Sequence, residues 1–422
     1  MTTRADSPEA EDAPAADVPS ADVPAAEDAP AVDAPPRKRR RVWLRVLAGV
    51  VSLAVLAGAG ISWYLYKRLD ANIRTDTDTA HELLRVQAER PTVLPEATTA
   101  ENILLLGSDN RGGGNGKYGQ DTGTQRSDTA ILLHLAADRT SATAVSLPRD
   151  LMVHIPSCRR SDGSMTTPQF AQFNWAFEFG GAACTIRTVE KATGIRVDHH
   201  LVVDFNGFKK MVDAVGGVEV CVPHAVHDQD AHLDLKAGRR LLHGEQALGY
   251  VRARKGIGDG SDTQRMDRQQ QFLASLVRKV DSTGVLLNPA KLYPLLDAAT
   301  ASLTADEGLD SLAELYELAH SLRETPADQV RFLTVPRRPY TADPNRDELV
   351  RPAADELFTA LREDEQVTIE GDEDTGSGSA RPTDGTNSTT PPASASPSHS
   401  ASASPSYRGT TADRDVCGGD GD

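Results

Sequence analysis

Two long stretches of the sequence contain too few apolar residues to build a core. Residues 1–36 consist mostly of Ala, Pro, Asp and Glu with the single basic residue Arg4, and the chain from about Glu363 onward is acidic and then rich in Ser, Pro, Thr and Gly. Such segments cannot offset the entropy lost on ordering. We therefore predict disordered tails at 1–41 and 366–422. The formal net charge of −16 describes these tails and says little about a functional site.

Several familiar catalytic and binding signatures are also missing. The glycine-rich run that contains Lys117 is not a P-loop, because Tyr118 follows that lysine where Ser or Thr is required. Ser127 and Ser146 have no nearby His arrangement for a nucleophilic triad. The histidines and aspartates of HAVHDQDAH (224–232) fit no zinc-ligand spacing well. This segment is therefore predicted to be a solvated loop.

Charged side chains are absent from residues 46–66. About 20 apolar residues suffice to span a bilayer. Residues 37–41 are all basic, whereas only two basic residues follow the apolar run directly, so the positive-inside rule places the N-terminus in the cytoplasm and the rest outside. No small-residue cleavage site follows, which disfavours a signal peptide. We predict a single-pass anchor at 42–68 in the cell membrane, and we interpret the basic run as a topology signal rather than a nucleic-acid site.

The region after the anchor divides into a stalk and a folded domain. Residues 69–95 are polar with scattered leucines and predict a helical stalk, and the domain is predicted at 96–365. Strand-like runs lie at 102–106, 129–135, 143–147, 201–205, 218–222 and 332–335, and helical patterns alternate with them. Several strands are apolar throughout, as expected when helices cover both faces of a sheet. The predicted fold is α/β, a three-layer α/β/α domain with a mixed central sheet.

Cysteine is scarce, and the four cysteines fit an oxidising compartment. Cys158 and Cys184 bracket a loop-like insert, which predicts a disulfide between them. Cys221 alternates with valines within 218–222 and is predicted to be a buried thiol. Cys417, in the C-terminal tail, could be unpaired or could pair with another molecule.

Arginine and aspartate recur in short clusters beside the predicted strand ends. GSDNR follows 102–106, PRD follows 143–147, and RAR follows an apolar stretch at 248–250. RSDT opens a strand, so an antiparallel neighbour would bring it to the same edge, and DTQRMDRQQ opens a helix. Because ligands collect beyond the carboxyl ends of strands, these clusters predict one shared site. The residues concerned are Asp109, Arg111, Arg126, Asp128, Arg149, Asp150, Arg252, Arg254, Asp262, Arg265, Asp267, Arg268 and Gln269.

The composition of these clusters indicates the ligand. Arginine forks bind phosphate oxygens bidentately and carboxylates hold Mg²⁺, so the mixture predicts a site for a metal–pyrophosphate. A single Arg–Asp pair is usually a surface ion pair of little consequence, and it is the recurrence that favours a site. The i, i+3, i+4 spacing places Arg265, Arg268 and Gln269 on one face of a helix. They lie near the N-terminus of that helix, where backbone N–H groups favour an anion.

These motifs together resemble the LytR–CpsA–Psr family over roughly residues 101–280. The strings that carry the resemblance are NILLLGSDNR, RSDTAILLHL, TAVSLPRDLMVHIP, FNWAFEFGG, VDHHLVVDFNGFKKMVDAVGGVEV, GEQALGYVRARKG and DTQRMDRQQ. The resemblance implies an anchored envelope enzyme that moves a glycopolymer from a polyprenyl-pyrophosphate carrier to a peptidoglycan hydroxyl. Wall teichoic acid, capsule or arabinogalactan-like polymers are the implied substrates, and the implied partners are this lipid-linked glycopolymer, peptidoglycan and membrane lipid, with no nucleic acid.

The resemblance also implies residue roles. Asp109 and Asp128 match metal-binding aspartates for Mg²⁺ or Mn²⁺. Asp109 and Asp262 are candidates for the base that deprotonates the acceptor, and neither is preferred. An apolar groove for the polyprenyl tail could use Phe205, Phe208, Val212 and Phe272, which could equally be plain core. The set expected around the pyrophosphate is Arg126, Arg149, Arg252, Arg254, Arg265, Arg268 and Gln269, with Asp109, Arg149 and Asp262 as the catalytic residues.

One stretch departs from the family pattern, and other functions remain open. The Gly-rich segment 112–125 appears longer than usual, and it could be a lid or an inert insertion. A pyrophosphatase would use the same site with water as acceptor, and a non-enzymatic binder of lipid-linked glycans would use it without chemistry. Transcriptional regulation is disfavoured by a domain outside the membrane and by the lack of a helix-turn-helix pattern.

Overall fold

The computed structural model describes residues 37–108, 127–253, 262–282, 288–370 and 406–414. The chain divides into two compact units, Met1–Ile61 and Ser62–Asp422. Within helix α1 (Arg37–Asp70), the segment Val42–Asp70 is long and apolar enough to cross a membrane. Its apolar side chains are exposed, such as Leu53 with 69% of its surface accessible, which suits a helix surrounded by lipid.

Helices and strands alternate through the second unit. The further helices are α2 (Thr77–Arg85), α3 (Trp175–Thr193), α4 (Phe205–Ala214), α5 (Gly244–Arg252), α6 (Asp262–Ser282), α7 (Pro289–Thr300), α8 (Leu312–Glu324) and α9 (Ala353–Arg362). The strands are β1 (Arg74–Thr75), β2 (Glu101–Ser108), β3 (Ser127–Leu135), β4 (Ala142–Leu147), β5 (Met152–Ile155), β6 (Gln169–Gln172), β7 (His199–Asp204), β8 (Val218–Val222), β9 (Val226–Asp228), β10 (Leu233–Leu235), β11 (Gly238–Leu242), β12 (Leu303–Ala305), β13 (Val330–Thr334), β14 (Arg337–Tyr340), β15 (Asp343–Leu349), β16 (Thr368–Ile369), β17 (Ser406–Tyr407) and β18 (Gly409–Thr411).

The central sheet is mixed, as the sequence predicts. Its strand order is β1-β12-β7-β2-β3-β4-β13-β18. The pairs β1–β12, β7–β2 and β4–β13 are parallel, and the remaining neighbours are antiparallel. The antiparallel step from β2 to β3 brings the start of β3 to the end of β2, with Ser108 opposite Ser127.

Helices cover both faces of this sheet. On one face, Leu104 and Val145 pack with Leu357 of α9 and with residues of α3. On the other face, Ile103 packs in a cluster with Ala274 of α6 and with leucines of α8. Because successive strand residues point to opposite faces, the fully apolar strands fill two cores at once. The predicted three-layer α/β/α architecture is confirmed.

A third, smaller core lies beside the sheet. Val220, Leu242, Tyr250 and Phe272 are buried together with residues of α4. The predicted strand at 218–222 exists, but it pairs with β11 in a separate hairpin rather than in the central sheet.

The stalk predicted at 69–95 is wrong, because this segment packs onto the folded unit. Leu69 and Ile73 keep only 4% and 8% of their surface exposed, and β1 pairs with β12 at the sheet edge. Farther along, the Arg90 guanidinium donates to the Glu190 carboxylate at 2.7 Å in a buried ion pair. These partners lie about a hundred or more residues away in the chain, so local composition did not reveal them.

The predicted disordered C-terminal tail at 366–422 is wrong for the parts that the structure describes. Ile369 is fully buried, and Tyr407 keeps 6% of its surface exposed where β16 pairs with β17. Strand β18 then joins the central sheet by pairing with β13, and Ala412 is fully buried. Residues 371–405 and 415–422 lie outside the described residues. A strand of three residues carries too little pattern to be recognised within a polar tail.

One prediction about the cysteines is confirmed and another is wrong. The Cys158–Cys184 disulfide is confirmed, with a Cα–Cα distance of 5.5 Å. Cys221 is half-buried and disulfide-bonded, so the predicted buried thiol is wrong; its position in β8 alternates with the core-facing valines and points away from the core. Because Cys158 and Cys184 bind each other, the partner of Cys221 lies outside the described residues. Cys417 lies there too.

Candidate active site

A cavity of about 590 Å³ lies on the α6 side of the sheet, between strands β7, β2 and β3 and helices α4, α5 and α6. One part of its wall is polar, and we call this the rim: Arg149, Arg252, Arg265 and Gln269. The other part is apolar, and we call it the floor: Leu105, Ile131, Leu201, Val203, Phe205, Phe208, Met211, Leu248, Val251, Phe272, Leu273 and Leu276. A polar rim on an apolar cavity suits a ligand with a charged head and a hydrocarbon body.

Arg149 is the rim residue whose orientation is best defined. It lies two residues beyond the end of β4, and its Nε donates to Asp150 Oδ2 at 3.2 Å. Asp150 is itself held, since its Oδ1 accepts from Gln172 Nε2 at 2.7 Å and lies 3.7 Å from an Arg346 nitrogen. The Arg149 side chain is 20% exposed. The carboxylate therefore fixes the direction of the guanidinium at the cavity wall.

Arg252 reaches the cavity from the end of a helix. The apolar stretch 248–250 belongs to α5, which ends at Arg252, so the expectation that the RAR cluster follows a strand end is wrong. The Arg252 guanidinium carbon lies 4.7 Å from the centroid of the Phe205 ring. A cation over an aromatic face is held by the ring quadrupole. The preceding Asp204 caps α4 by accepting from the Gly207 N–H at 2.7 Å, which positions Phe205.

Helix α6 contributes two rim residues one turn apart. Arg265 keeps 5% of its surface exposed, and Gln269 Nε2 donates to the Val251 carbonyl at 3.0 Å. Arg268 donates instead to the carbonyl of Ala253 and does not line the cavity. The prediction that all three helix residues face the site together is therefore only partly met. Arg268, at the i+3 position, points toward the end of α5 instead.

The floor contains most of the residues expected for a prenyl groove. Phe205, Phe208 and Phe272 line the cavity, and the Phe208 and Phe272 ring centroids are 5.5 Å apart. Val212 is fully buried in the third core and does not line the cavity. Phe272 has no exposed surface and belongs to that core as well, so both interpretations of the aromatic residues apply to it.

Three aspartates that the sequence analysis did not assign to this site also border the cavity: Asp204, Asp228 and Asp230. Asp228 keeps 2% of its surface exposed, and its Oδ1 accepts from the N–H groups of Asp230 and Ala231 at 2.9 and 3.0 Å. The segment 224–232 is therefore not simply a solvated loop. Its acidic residues were visible in the sequence, but nothing in their spacing indicated a place in this wall.

The metal-binding part of the prediction falls largely outside the described side chains. Asp109, Arg126, Arg254 and the segment 112–125 lie outside the described residues. The backbones of Asp128 and Asp262 lie in β3 and at the start of α6, and their side chains are not described. Among the described residues, no group of three or more His, Cys, Asp or Glu is placed to hold a metal ion.

Strand register nevertheless places the residues just before two of the expected metal ligands side by side. Ser108 lies opposite Ser127 on β3 and opposite Asp204 on β7. Asp109 follows Ser108 in the sequence, and Asp128 follows Ser127. Carboxylate oxygens are the ligands that Mg²⁺ prefers. The chemistry of these positions therefore fits the expected metal.

Known proteins are similar to this chain in sequence and in fold. A model of the LytR_cpsA_psr family matches residues 65–363. The probable cell wall biosynthesis protein LcpB of Corynebacterium glutamicum is 37% identical over 57% of this chain and 56% of that protein. The polyisoprenyl-teichoic acid–peptidoglycan teichoic acid transferase TagU of Enterococcus faecalis is 30% identical over 64% of this chain and 80% of that protein.

The solved structure of a LytR-Csp2A-Psr enzyme from Actinomyces oris has the same fold. It superposes with a TM-score of 0.51 at 23% identity and covers 64% of this chain and 93% of that one. The chain spans about half the length of the Corynebacterium relatives that it matches. The family model, by contrast, covers well over half of this chain. The chain belongs to the LytR–CpsA–Psr family.

Proposed function

We propose that this protein transfers a glycopolymer from a polyprenyl-pyrophosphate carrier to a hydroxyl group of peptidoglycan, forming a phosphodiester link. The observation that carries this proposal is the joining of a rim and a floor in one cavity. A diphosphate needs arginine forks, and a polyprenyl chain needs apolar walls. The name of the E. faecalis relative, a polyisoprenyl-teichoic acid–peptidoglycan teichoic acid transferase, supports it.

The rim would act on the diphosphate. Phosphoryl transfer depends chiefly on positioning and on neutralising charge at the transferring and leaving oxygens. Arg149, Arg252 and Arg265 present fixed positive charges in a partly buried site, where such charges act more strongly than in water. Gln269 can accept or donate without adding charge. These residues would stabilise the lipid phosphate as it leaves.

A divalent metal is part of the proposal. Asp109 and Asp128 would hold Mg²⁺ or Mn²⁺ at the adjoining ends of β2 and β3, and the metal would supply further charge neutralisation to the phosphates.

The acceptor hydroxyl attacks the phosphorus nearer the glycan. Its oxygen forms the new P–O bond, and the bond to the bridging oxygen of the carrier breaks, so that the polyprenyl phosphate departs with the electron pair. The hydroxyl proton goes to a carboxylate base. Asp109 and Asp262 are the candidates for this base. Water in place of the sugar hydroxyl would give the alternative reaction, hydrolysis of the carrier diphosphate.

We also propose the orientation of the membrane anchor. The basic residues 37–41 precede the apolar part of α1, which by the positive-inside rule favours a cytoplasmic N-terminus. The Cys158–Cys184 disulfide supports an extracytoplasmic location for the folded unit. A lipid-linked donor in the outer leaflet would then be on the same side of the membrane as the folded unit.

A reconstituted reaction tests the proposed function. The full chain in detergent is incubated with a polyprenyl-pyrophosphoryl glycan, Mg²⁺ and soluble peptidoglycan fragments, and products are followed by mass spectrometry. We expect glycan joined to the fragment through phosphate, and loss of the product when EDTA is added. Release of polyprenyl phosphate without attachment of the glycan would show that the protein hydrolyses the carrier diphosphate instead of transferring the glycan. Binding of the donor without any product would show that the protein is a non-enzymatic binder of lipid-linked glycans.

A further inference from the structure

An outward-facing aromatic surface begins next to the rim. The hairpin β5–β6 starts three residues after Arg149. Along it, Val153 and Ala171 face the core, whereas the opposed pair His154 and Phe170 faces outward. Phe170 keeps 45% of its surface exposed. Phe170 belongs to none of the three cores.

Three rings form one continuous surface, which we call the platform: His154, Phe170 and Tyr340. The His154 and Phe170 centroids lie 4.9 Å apart at 52°. Tyr340, from β14, lies 6.0 Å from Phe170 in an edge-to-face arrangement. Ring packing of this kind fixes the orientation of each ring. The platform is therefore held in place before any ligand arrives.

Hydrogen bonds link the rim to the strand that carries Phe170. Gln172 lies two residues from Phe170 on β6, a distance of about 7 Å along a strand, and its side-chain amide donates to Asp150 at 2.7 Å. Asp150 in turn accepts from Arg149 at 3.2 Å. A polymer chain that lies on the platform and follows β6 would extend toward Arg149, which is proposed to bind the diphosphate.

The surroundings of the platform are polar and of mixed charge. The Arg338 Nε donates to a Glu348 oxygen at 2.7 Å, and the Thr341 hydroxyl donates to the same oxygen at 3.4 Å. Arg346 lies 3.7 Å from both Asp150 and Asp343. Paired charges of both signs attract no strongly anionic polymer, but they offer donors and acceptors to hydroxyl and amide groups.

We propose that the platform is the acceptor subsite, on which a pyranose ring of a peptidoglycan glycan strand stacks through its C–H face. The aromatic rings match the apolar face of a sugar, the paired charges match its polar groups, and the position beside Arg149 matches the place where an acceptor must enter. The inference rests on the proposed function for the identity of the acceptor. The anionic donor polymer fits this surface less well.

Binding measured without donor tests the platform. Soluble peptidoglycan glycan fragments are titrated calorimetrically into the full chain in detergent, comparing wild type with Phe170→Ala and Tyr340→Ala. We expect the Kd to rise about fivefold for each lost ring, with Phe170→Trp restoring binding. Tyr316→Ala, which removes a tyrosine that is 64% exposed on α8, is the matched control and leaves the Kd unchanged.

Steady-state kinetics then shows whether the platform binds the acceptor or the donor. In the transfer reaction, both platform variants raise the KM for the acceptor and leave the KM for the donor unchanged. Unchanged glycan binding in Phe170→Ala and Tyr340→Ala would overturn the inference, as would a rise in the donor KM alone. If the wild type binds glycan through these rings but transfers nothing, the proposed function fails while the platform stands as a glycan-binding site.

Discussion

The rim and the floor of the cavity are built in different ways. Each rim side chain with a described contact has an individual partner, such as the Asp150 carboxylate for Arg149 and the Phe205 ring for Arg252. The floor is an extension of faces that also form the core, and Phe272 belongs to both. The rim therefore depends on the identity and direction of single residues, whereas the floor depends on apolar volume. Substitutions should affect the two parts differently.

The largest effect is expected at the rim. Arg149→Ala removes a guanidinium that is proposed to bind the diphosphate and should lower kcat/KM for transfer by about 100-fold or more, since losing one preorganised donor costs on the order of 10²–10³. Arg149→Lys keeps the charge but not the fork geometry and should recover only part of the rate.

The measurement for Arg149 is the transfer reaction under limiting donor, with thermal unfolding as a check of the fold. Arg240→Ala is the control, because Arg240 is half-buried on β11, donates to the carbonyls of Lys236 and Ala237, and does not line the cavity. Full activity in Arg149→Ala would remove Arg149 from the site.

A smaller effect is expected in the floor, and it should depend on the length of the lipid. Leu273→Ala combined with Leu276→Ala removes apolar wall from the α6 side of the cavity. We expect the KM for a long polyprenyl donor to rise roughly tenfold, since burying the lost side-chain area is worth about 1–2 kcal/mol. A donor with only two prenyl units should respond much less.

The control for the floor is Leu315→Ala, which lies in α8 against the same sheet face but does not line the cavity. An equal rise in KM for short and long donors would contradict the assignment of the floor to the lipid chain.

The smallest effect compares the same substitution at two aromatic residues of the floor, of which Phe205 contacts the rim residue Arg252. Phe205→Leu removes the ring beneath Arg252 and should lower kcat/KM about fivefold, the size of a partly desolvated cation–π contact. Phe208→Leu keeps an apolar wall and should change kcat/KM less than about twofold. The two variants are assayed side by side with the long-chain donor. Equal losses would show that the ring acts by filling space rather than by holding Arg252.

The sequence predicted the rim better than the floor, for a physical reason. Arg149 and Arg265 stand in polar clusters where no core needs them, so their recurrence indicated a ligand. Leu201 and Leu273 look the same whether they fill a core or line a cavity, because both environments select apolar side chains. Arg268 shows the limit even for charged residues: its spacing matched Arg265, but its guanidinium holds the end of α5 instead.

The edges of the central sheet were less predictable than its middle. The runs at 102–106, 129–135 and 143–147 are apolar on both faces, and they form β2, β3 and β4 as expected. The edge positions are filled by β1 and β18, which contain two and three residues. Such short strands carry no recognisable periodicity, and their pairing with β12 and β13 depends on contacts far apart in the chain.

By itself, the sequence determined the apolar segment and the α/β class with its mixed sheet, and it predicted the clusters that are proposed to bind phosphate. Each of these follows from local composition, periodicity or spacing. Only the tertiary structure decided which arginines face one cavity, that this cavity continues into an apolar floor, and that His154, Phe170 and Tyr340 meet beside it. Those features arise where β4, β6, β14, α5 and α6 approach one another, and such approaches are set by packing between distant segments rather than by any local pattern.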